Sequence, residues 1–341
     1  MKRRLFLLGL SGLSGCTRGG KPRLNVLNYT DYIGTDTVKN FEREFGVEVR
    51  YSGAIEGSEE VIAKTMSGNS GWDVVFPENR LVEPMHQMGL LSPLDHKRLP
   101  NLKNLFLRFQ SPVWDKSLDW SIPYLWSCCG IMSNRSVDPP ISGWADLWSS
   151  RLKGRTTMLD EPSEVFAACL KVLGLSINTD SADELRKARG LAIEQKKVLR
   201  AYLNTEVRDQ AAAGDVLACQ LWAGSSQLTI DNAPNLTFCH PKEGFSLYCD
   251  GVAILAESRR KELAHEFVNY LYRPEVGAAI TLTSRASTPN EASLAFLPDS
   301  FKALATLFPS EQILARGEWF RTSSAVTQKL RDRLWTEIKS A

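Results

Sequence analysis

Histidine is scarce in this chain of 341 residues: His86, His96, His240 and His265 are the only four. None stands in an H-x-H or H-E-x-x-H pair, which argues against a metal centre. No G-x-G-x-x-G follows a strand pattern, and there is neither a P-loop nor a G-x-S-x-G elbow, so no cofactor is called for. The small polar turn "AGSSQ" at Ala223–Gln227 is no substitute for an elbow. Blocks of five or more like charges are missing too, and with them the usual footprint of nucleic-acid binding. No repeat or low-complexity segment is visible.

What is present begins with an address. Lys2, Arg3 and Arg4 precede a short apolar stretch, Leu5 to Leu13, that is too short to span a bilayer as a mature helix. Leu13-Ser14-Gly15-Cys16 then has the form of a lipobox, with Cys16 as the lipidated residue, and Arg3-Arg4-x-Phe6-Leu7 has the form of a twin-arginine export signal. The competing reading is a buried N-terminal helix ending at a structural cysteine. We expect residues 1–16 to be a lipoprotein signal and 17–23 a linker. The 41 basic residues less Lys2, Arg3 and Arg4 leave 38 against 39 acids, so the mature chain is near neutral. Its remaining six cysteines sit mostly in apolar surroundings and show no C-x-x-C, which favours roles as small hydrophobes.

The rest of the chain is long for one core and comfortable for two. "RLNVLNY", "VEVRYS" and "DVVFP" read as strands; "DTVKNFEREFG" and "EEVIAKTMSG" between them read as helices. Asp36 is the expected cap of the first helix and Gly46 its stop. Later, "SADELRKARGLAIEQKKVLRAYL" opens on a Ser181-x-x-Glu184 capping box and reads as one helix, "VLACQLWAG" and "LTFCHP" as strands, and "RKELAHEFVNYLYRP" as a helix stopped at Pro274. Alternation of this kind predicts an α/β fold of two lobes, each a mostly parallel sheet flanked by helices.

"FSLYCDGVAIL", Phe245 to Leu255, poses the functional question. It reads as a buried strand with a carboxylate, Asp250, in its middle. Burying a carboxylate costs several kcal/mol, roughly, unless a charge or hydrogen bonds meet it. Asp250-Gly251 could be a turn, or Asp250 could pair with an internal Lys or Arg; alternatively it faces a cleft and awaits a cation from solution. Aromatic residues cluster at the ends of other apolar strands: Tyr29 and Tyr32 around Thr30, Tyr124 with Trp126, Trp222, and Tyr248. Core packing is the plain reading of each. Aromatic faces with carboxylates are also the chemistry that holds an organic cation.

The segments "LNYTDYI", "GWDVVFP", "WSIPYLW", "SGWADLW", "DEPSEVF", "QLWAGS", "HPKEG" with the following "YCD", "STPN" and "GEW" resemble, in order, the spermidine/putrescine-binding proteins of bacterial polyamine ABC transporters. The resemblance covers Leu24 to Trp319. It implies a periplasmic-binding-protein fold whose hinge is crossed several times, near Trp126–Cys129, Tyr248–Gly251 and Thr288–Glu291. Lobe 1 is then 24–127 with 251–290, and lobe 2 is 128–250 with 291–341. The ligand-binding residues it implies are Tyr29, Thr30, Tyr32, Glu161, Glu164, Trp222, Tyr248 and Asp250, with Glu78, Arg80, Tyr124, Ser225 and Phe320 as further candidates.

Glu161 and Glu164 share one helical face, although acids also favour a helix start after Pro162 for purely local reasons. Three positions depart from the family pattern: Glu78-Asn79-Arg80 stands where an aromatic is expected, Ala286 replaces another, and Phe320 replaces a glutamine. The implied partners are a polyamine, an ABC permease with its ATPase, and a membrane reached through the lipid on a monomer. The rival readings are the same fold with another small amine or amino-acid-like cation, a secreted carboxylate enzyme, and a receptor-like sensor.

Overall fold

The computed structural model describes residues 20–55 and 57–341. The signal, Cys16 and the first part of the linker lie outside the described residues. Ten strands follow in chain order: β1 (Arg23–Tyr29), β2 (Glu48–Ile55), β3 (Val74–Val75), β4 (Ile122–Asn134), β5 (Thr156–Met158), β6 (Leu199–Tyr202), β7 (Ala218–Trp222), β8 (Leu236–Cys239), β9 (Phe245–Ile254) and β10 (Gly317–Trp319). The helices are α1 (Thr37–Phe45), α2 (Glu59–Thr65), α3 (Asn79–Gln87), α4 (Pro162–Val172), α5 (Ala182–Gln195), α6 (Val207–Ala212), α7 (Ala223–Ile230), α8 (Lys261–Leu271), α9 (Pro274–Ser284), α10 (Asp299–Lys302), α11 (Glu311–Leu314) and α12 (Ala325–Ser340).

The strands pair in the order β2-β1-β3-β9-β4-β7-β5-β6, with β10 on β9 and β8 on β4. β1 is parallel to β2 and β3, and β5 is parallel to β6 and β7. The antiparallel pairs all involve β4 or β9, so the sheet is mixed where the chain passes from one half to the other. Side-chain alternation covers both faces of the first half. Leu24, Val26, Val74, Val252 and Ile254 point into one core, while Leu27, Val75, Ala253 and Leu255 point into another.

A third core holds the other half, around Trp144, Phe166 and Leu221. On β4 the change of core falls between Leu125 and Trp126, and on β9 between Cys249 and Val252. β9 is continuous and buried throughout, so Asp250-Gly251 is no turn. Past Thr288–Glu291 the chain keeps packing on the first half for a further stretch. Leu297, Phe301 and Leu307 pack back on Ala278 of α9, and from Ile313 the chain packs on the third core.

Local chemistry explains the element ends. Gly46 closes α1 with φ of 66°, a left-handed conformation that suits glycine. Asp36 precedes that helix without accepting a capping bond, whereas Ser181 caps α5 through the Glu184 amide. The single helix read over 181–203 ends at Gln195, because Leu199–Tyr202 is taken as a strand by its parallel neighbour β5. Pro274 both follows the end of α8 and occupies the first turn of α9, where its missing N–H costs nothing.

Candidate ligand-binding site

Four parallel strands deliver their C-terminal ends to one cleft between the halves. Tyr29, Thr30 and Tyr32 follow β1; Glu78 and Arg80 follow β3; Glu161 and Glu164 follow β5; Trp222 and Ser225 follow β7. This is where open α/β sheets present ligands, since the loops leaving those ends are free to vary. β9 adds Tyr248 and Asp250 at the crossing, and Phe320 comes in after β10. The cleft holds about 900 Å³ of empty space, part of it open to solvent at the mouth. Of the candidate ligand-binding residues, Tyr124 alone stays outside it, and the strand-end aromatic Trp126 is outside it too. The Tyr124 hydroxyl donates to the Tyr32 carbonyl at 2.6 Å and supports the loop from below.

The 28–32 turn is shaped by its own polar groups. Asn28 accepts from the Tyr29 amide at 2.8 Å and donates to the Tyr32 carbonyl at 3.2 Å, and the Thr30 hydroxyl donates to Gly53 at 2.9 Å. Tyr29 and Tyr32 meet edge-to-face with centroids 5.3 Å apart. The Tyr32 hydroxyl reaches Asp250 and Tyr248. Behind it, Tyr248 and Phe320 pack with Ala167 and Ile177, and Trp222 leans on them to complete an apolar wall.

The carboxylates of the cleft differ sharply in their surroundings. Arg80 is 8% exposed and bonds three of its acidic neighbours: Nε to Glu78 Oε1 at 3.0 Å, Nη1 to Glu59 Oε1 at 2.7 Å, and Nη2 to Glu161 Oε1 at 3.6 Å. Glu161 Oε1 and Arg80 Nη2 have no closer hydrogen-bond partner. Burial pushes the Glu161 carboxyl up to about 7 against the pull of Arg80. Glu164 also lines the cleft: the Ser246 hydroxyl donates to its Oε2 at 2.6 Å, and burial lifts it to about 8.

Asp250 is 4% exposed, and no Lys or Arg of the described residues lies within ion-pair distance of it. Burial first and the neighbouring Glu78 second hold its carboxyl well above the usual range, with the Tyr32 hydroxyl acting in the opposite sense. Asp250 is thus a buried carboxylate without a cationic partner among the described residues, set beside Tyr32 and Tyr248.

Contacts made only by tertiary structure complete the cleft. Asp31, in a left-handed turn with φ of 60°, reaches Arg208 of α6 across the mouth at 3.5 Å. Asn79 donates to the Phe320 carbonyl at 2.7 Å and accepts from the Cys249 amide at 3.1 Å, tying α3 to the strand crossing. Asp31, Ser58, Ser163 and Thr205 also line the cleft and were missed. Ser58 and Thr205 follow the ends of β2 and β6, the same signal that located the others. Thr205 was hidden because β6 reads as helix.

Comparison with known proteins gives the family and the fold. Residues 36–309 match the model of a family described as bacterial extracellular solute-binding protein. The chain is 28% identical over 355 aligned positions to the putrescine/cadaverine-binding protein of Pseudomonas aeruginosa, covering 99% of each. It is 30% identical over 314 positions to the spermidine/putrescine-binding periplasmic protein of Escherichia coli, covering 90% of this chain and 89% of that one. The TpPotD lipoprotein of Treponema pallidum superposes with a TM-score of 0.84 at 25% identity, covering 93% of this chain and 99% of the other. The chain belongs to the bacterial extracellular solute-binding protein family.

Proposed function

We propose that this protein binds a polyamine of the putrescine and spermidine class outside the cytoplasm and delivers it to an ABC permease with its ATPase. One observation carries the ligand: Asp250, buried and without an internal cation, in a cleft walled by Tyr29, Tyr32, Trp222 and Tyr248. The names of the Pseudomonas and Escherichia relatives support the same ligand class.

The ligand is held and released, not converted. The lobes are residues 24–125 with 252–308 and residues 126–249 with 309–341, a division supported by the three changes of core. Closure by hinge motion brings the strand ends of both lobes onto the amine, and the closed form is what the permease recognises. Closure matters because an ammonium against one lobe alone stays in water, where a charge pair is worth about 0–1 kcal/mol. A lipid on Cys16 tethers the monomer to the membrane; the relative from Treponema is named a lipoprotein.

The test is a thermal-shift panel of putrescine, cadaverine, spermidine, spermine and basic amino acids. A specific amine stabilises by RT ln(1 + [L]/Kd), about 2.7 kcal/mol at a hundredfold excess over Kd. A basic amino acid shifting the melt while every polyamine leaves it unmoved would refute the ligand assignment.

A further inference from the structure

A second groove adjoins the cleft, between α3 and the segment that leads into α12. It shares Arg80, Ser163 and Phe320 with the cleft and continues past them to Arg321 and Arg331. About 900 Å³ of empty space lies in it, part of it open to solvent.

Arg331, on α12, is 6% exposed. Its Nη2 donates to the Ile177 carbonyl at 2.9 Å and to the Thr179 carbonyl at 3.5 Å, and its guanidinium carbon lies 5.7 Å from the centre of the Phe166 ring. Its Nε is buried without a hydrogen-bond partner, and no carboxylate of the described residues lies within ion-pair distance of it. Asp180 acts on it from further off and takes the Thr327 hydroxyl at 2.6 Å as its own partner. Burial holds the Arg331 guanidinium down to about 10, so it remains charged at neutral pH. A buried guanidinium that no anion answers is costly to the fold.

The rest of the groove has the same character. Arg321 lines it with a side chain that makes no bond to the described protein; only its amide is engaged, by Asn178 Oδ1 at 2.8 Å. The first turn of α12 brings Ala325 and Gln328 to the same wall, so the positive end of a sixteen-residue helix faces this space. The acids near the groove are already taken. Glu59 lies on Arg80 at 2.7 Å, and Asp332 accepts from Gln328 at 2.9 Å. Arg80 is likewise held by Glu59, Glu78 and Glu161 and is not needed as a ligand here.

We propose that this groove is a binding site for a small oxyanion of the phosphate or sulfate class, held by Arg331 and Arg321 at the start of α12. A guanidinium presents paired N–H donors that match the oxygens of such an ion, and the free Nε of Arg331 gains the partner it lacks. The site uses neither Asp250 nor the aromatic wall, so it stands apart from the amine-binding reading.

Titration calorimetry with inorganic phosphate tests it, without amine and at an ionic strength held constant with sodium chloride. The wild type is expected to bind phosphate with a Kd of about 1 mM or below. Arg331→Gln should weaken that binding at least about tenfold, and Arg321→Gln at least about fivefold. Lys329→Gln removes a charge from an exposed position of the same helix, outside the groove, and should change it by no more than about twofold. Should Arg331→Gln fail to fold, Arg321→Gln against Lys329→Gln decides. Wild-type protein that binds no phosphate overturns the proposal. So does phosphate binding that Arg321→Gln leaves intact, which puts the ion elsewhere, or an equal loss in Lys329→Gln, which makes it an effect of net charge. With no amine present, each of these results leaves the polyamine reading standing.

Discussion

Replacing Asp250 by Asn keeps the shape of the side chain and removes its charge. The structure supplies the terms. The carboxyl is 4% exposed, it has no cationic partner in the described protein, and Glu78 repels it. In the empty protein its ionised form is therefore disfavoured, and Asn relieves a penalty. In the complex the same carboxylate answers a desolvated ammonium, and losing one partner of such a pair costs about 2–5 kcal/mol. At about 1.4 kcal/mol per tenfold, amine affinity should fall by at least about 30-fold. The melting temperature without ligand should hold or rise. Isothermal calorimetry of the amine and an apo thermal melt of the same variant measure both. Unchanged affinity together with a lower apo melting temperature would refute the reasoning, because it would mean that Asp250 supports the fold and does not anchor the ligand.

Burial raises Glu161 to about 7 and Glu164 to about 8 from their usual 4.5, so between those values the folded protein binds more protons than the unfolded chain. Apo stability should therefore fall as pH rises from about 5 to about 8.5, while amine affinity rises by up to about tenfold between pH 6 and 8.5 as Glu161 ionises; an affinity flat over that range would count against a ligand-facing Glu161. Arg208→Ala opens the exposed bridge to Asp31 at the mouth and should weaken binding by no more than about fivefold, seen as faster release in stopped-flow; a hundredfold loss would mean that the bridge is part of the anchor. Saturating amine should reduce the radius of gyration in small-angle scattering, and an unchanged value would argue against hinge closure. Cys16→Ser should release the protein from membranes or leave its signal uncleaved, as read by fractionation and intact mass; no change in either would remove the lipid anchor.

Much of this protein is legible along the chain because the signals are local. The β-α-β-α-β alternation through Val75, the Gly46 stop and the Ser181 cap each depend on neighbours within a few residues. The greasy run around Asp250 announces a carboxylate in need of a partner, and the aromatics at strand ends mark the cleft. What sequence left open was decided by contacts between distant residues. Leu199–Tyr202 carries helical periodicity yet becomes a strand, since β5 offers hydrogen bonds that outweigh a weak propensity. Glu164 looks equivalent to Glu161, but it takes the Ser246 hydroxyl, 82 positions away, as its partner, whereas Glu161 lies against Arg80.

Arg80 is the clearest case. Its neighbour in sequence, Glu78, and its neighbours in space, Glu59 and Glu161, come from three segments that only the closed tertiary structure assembles. Residue type alone says that an arginine near a cation site repels the ligand. Its burial among three carboxylates instead gives it partners within the protein. A buried charge is tolerated only when its partners converge, and convergence is a property of the fold.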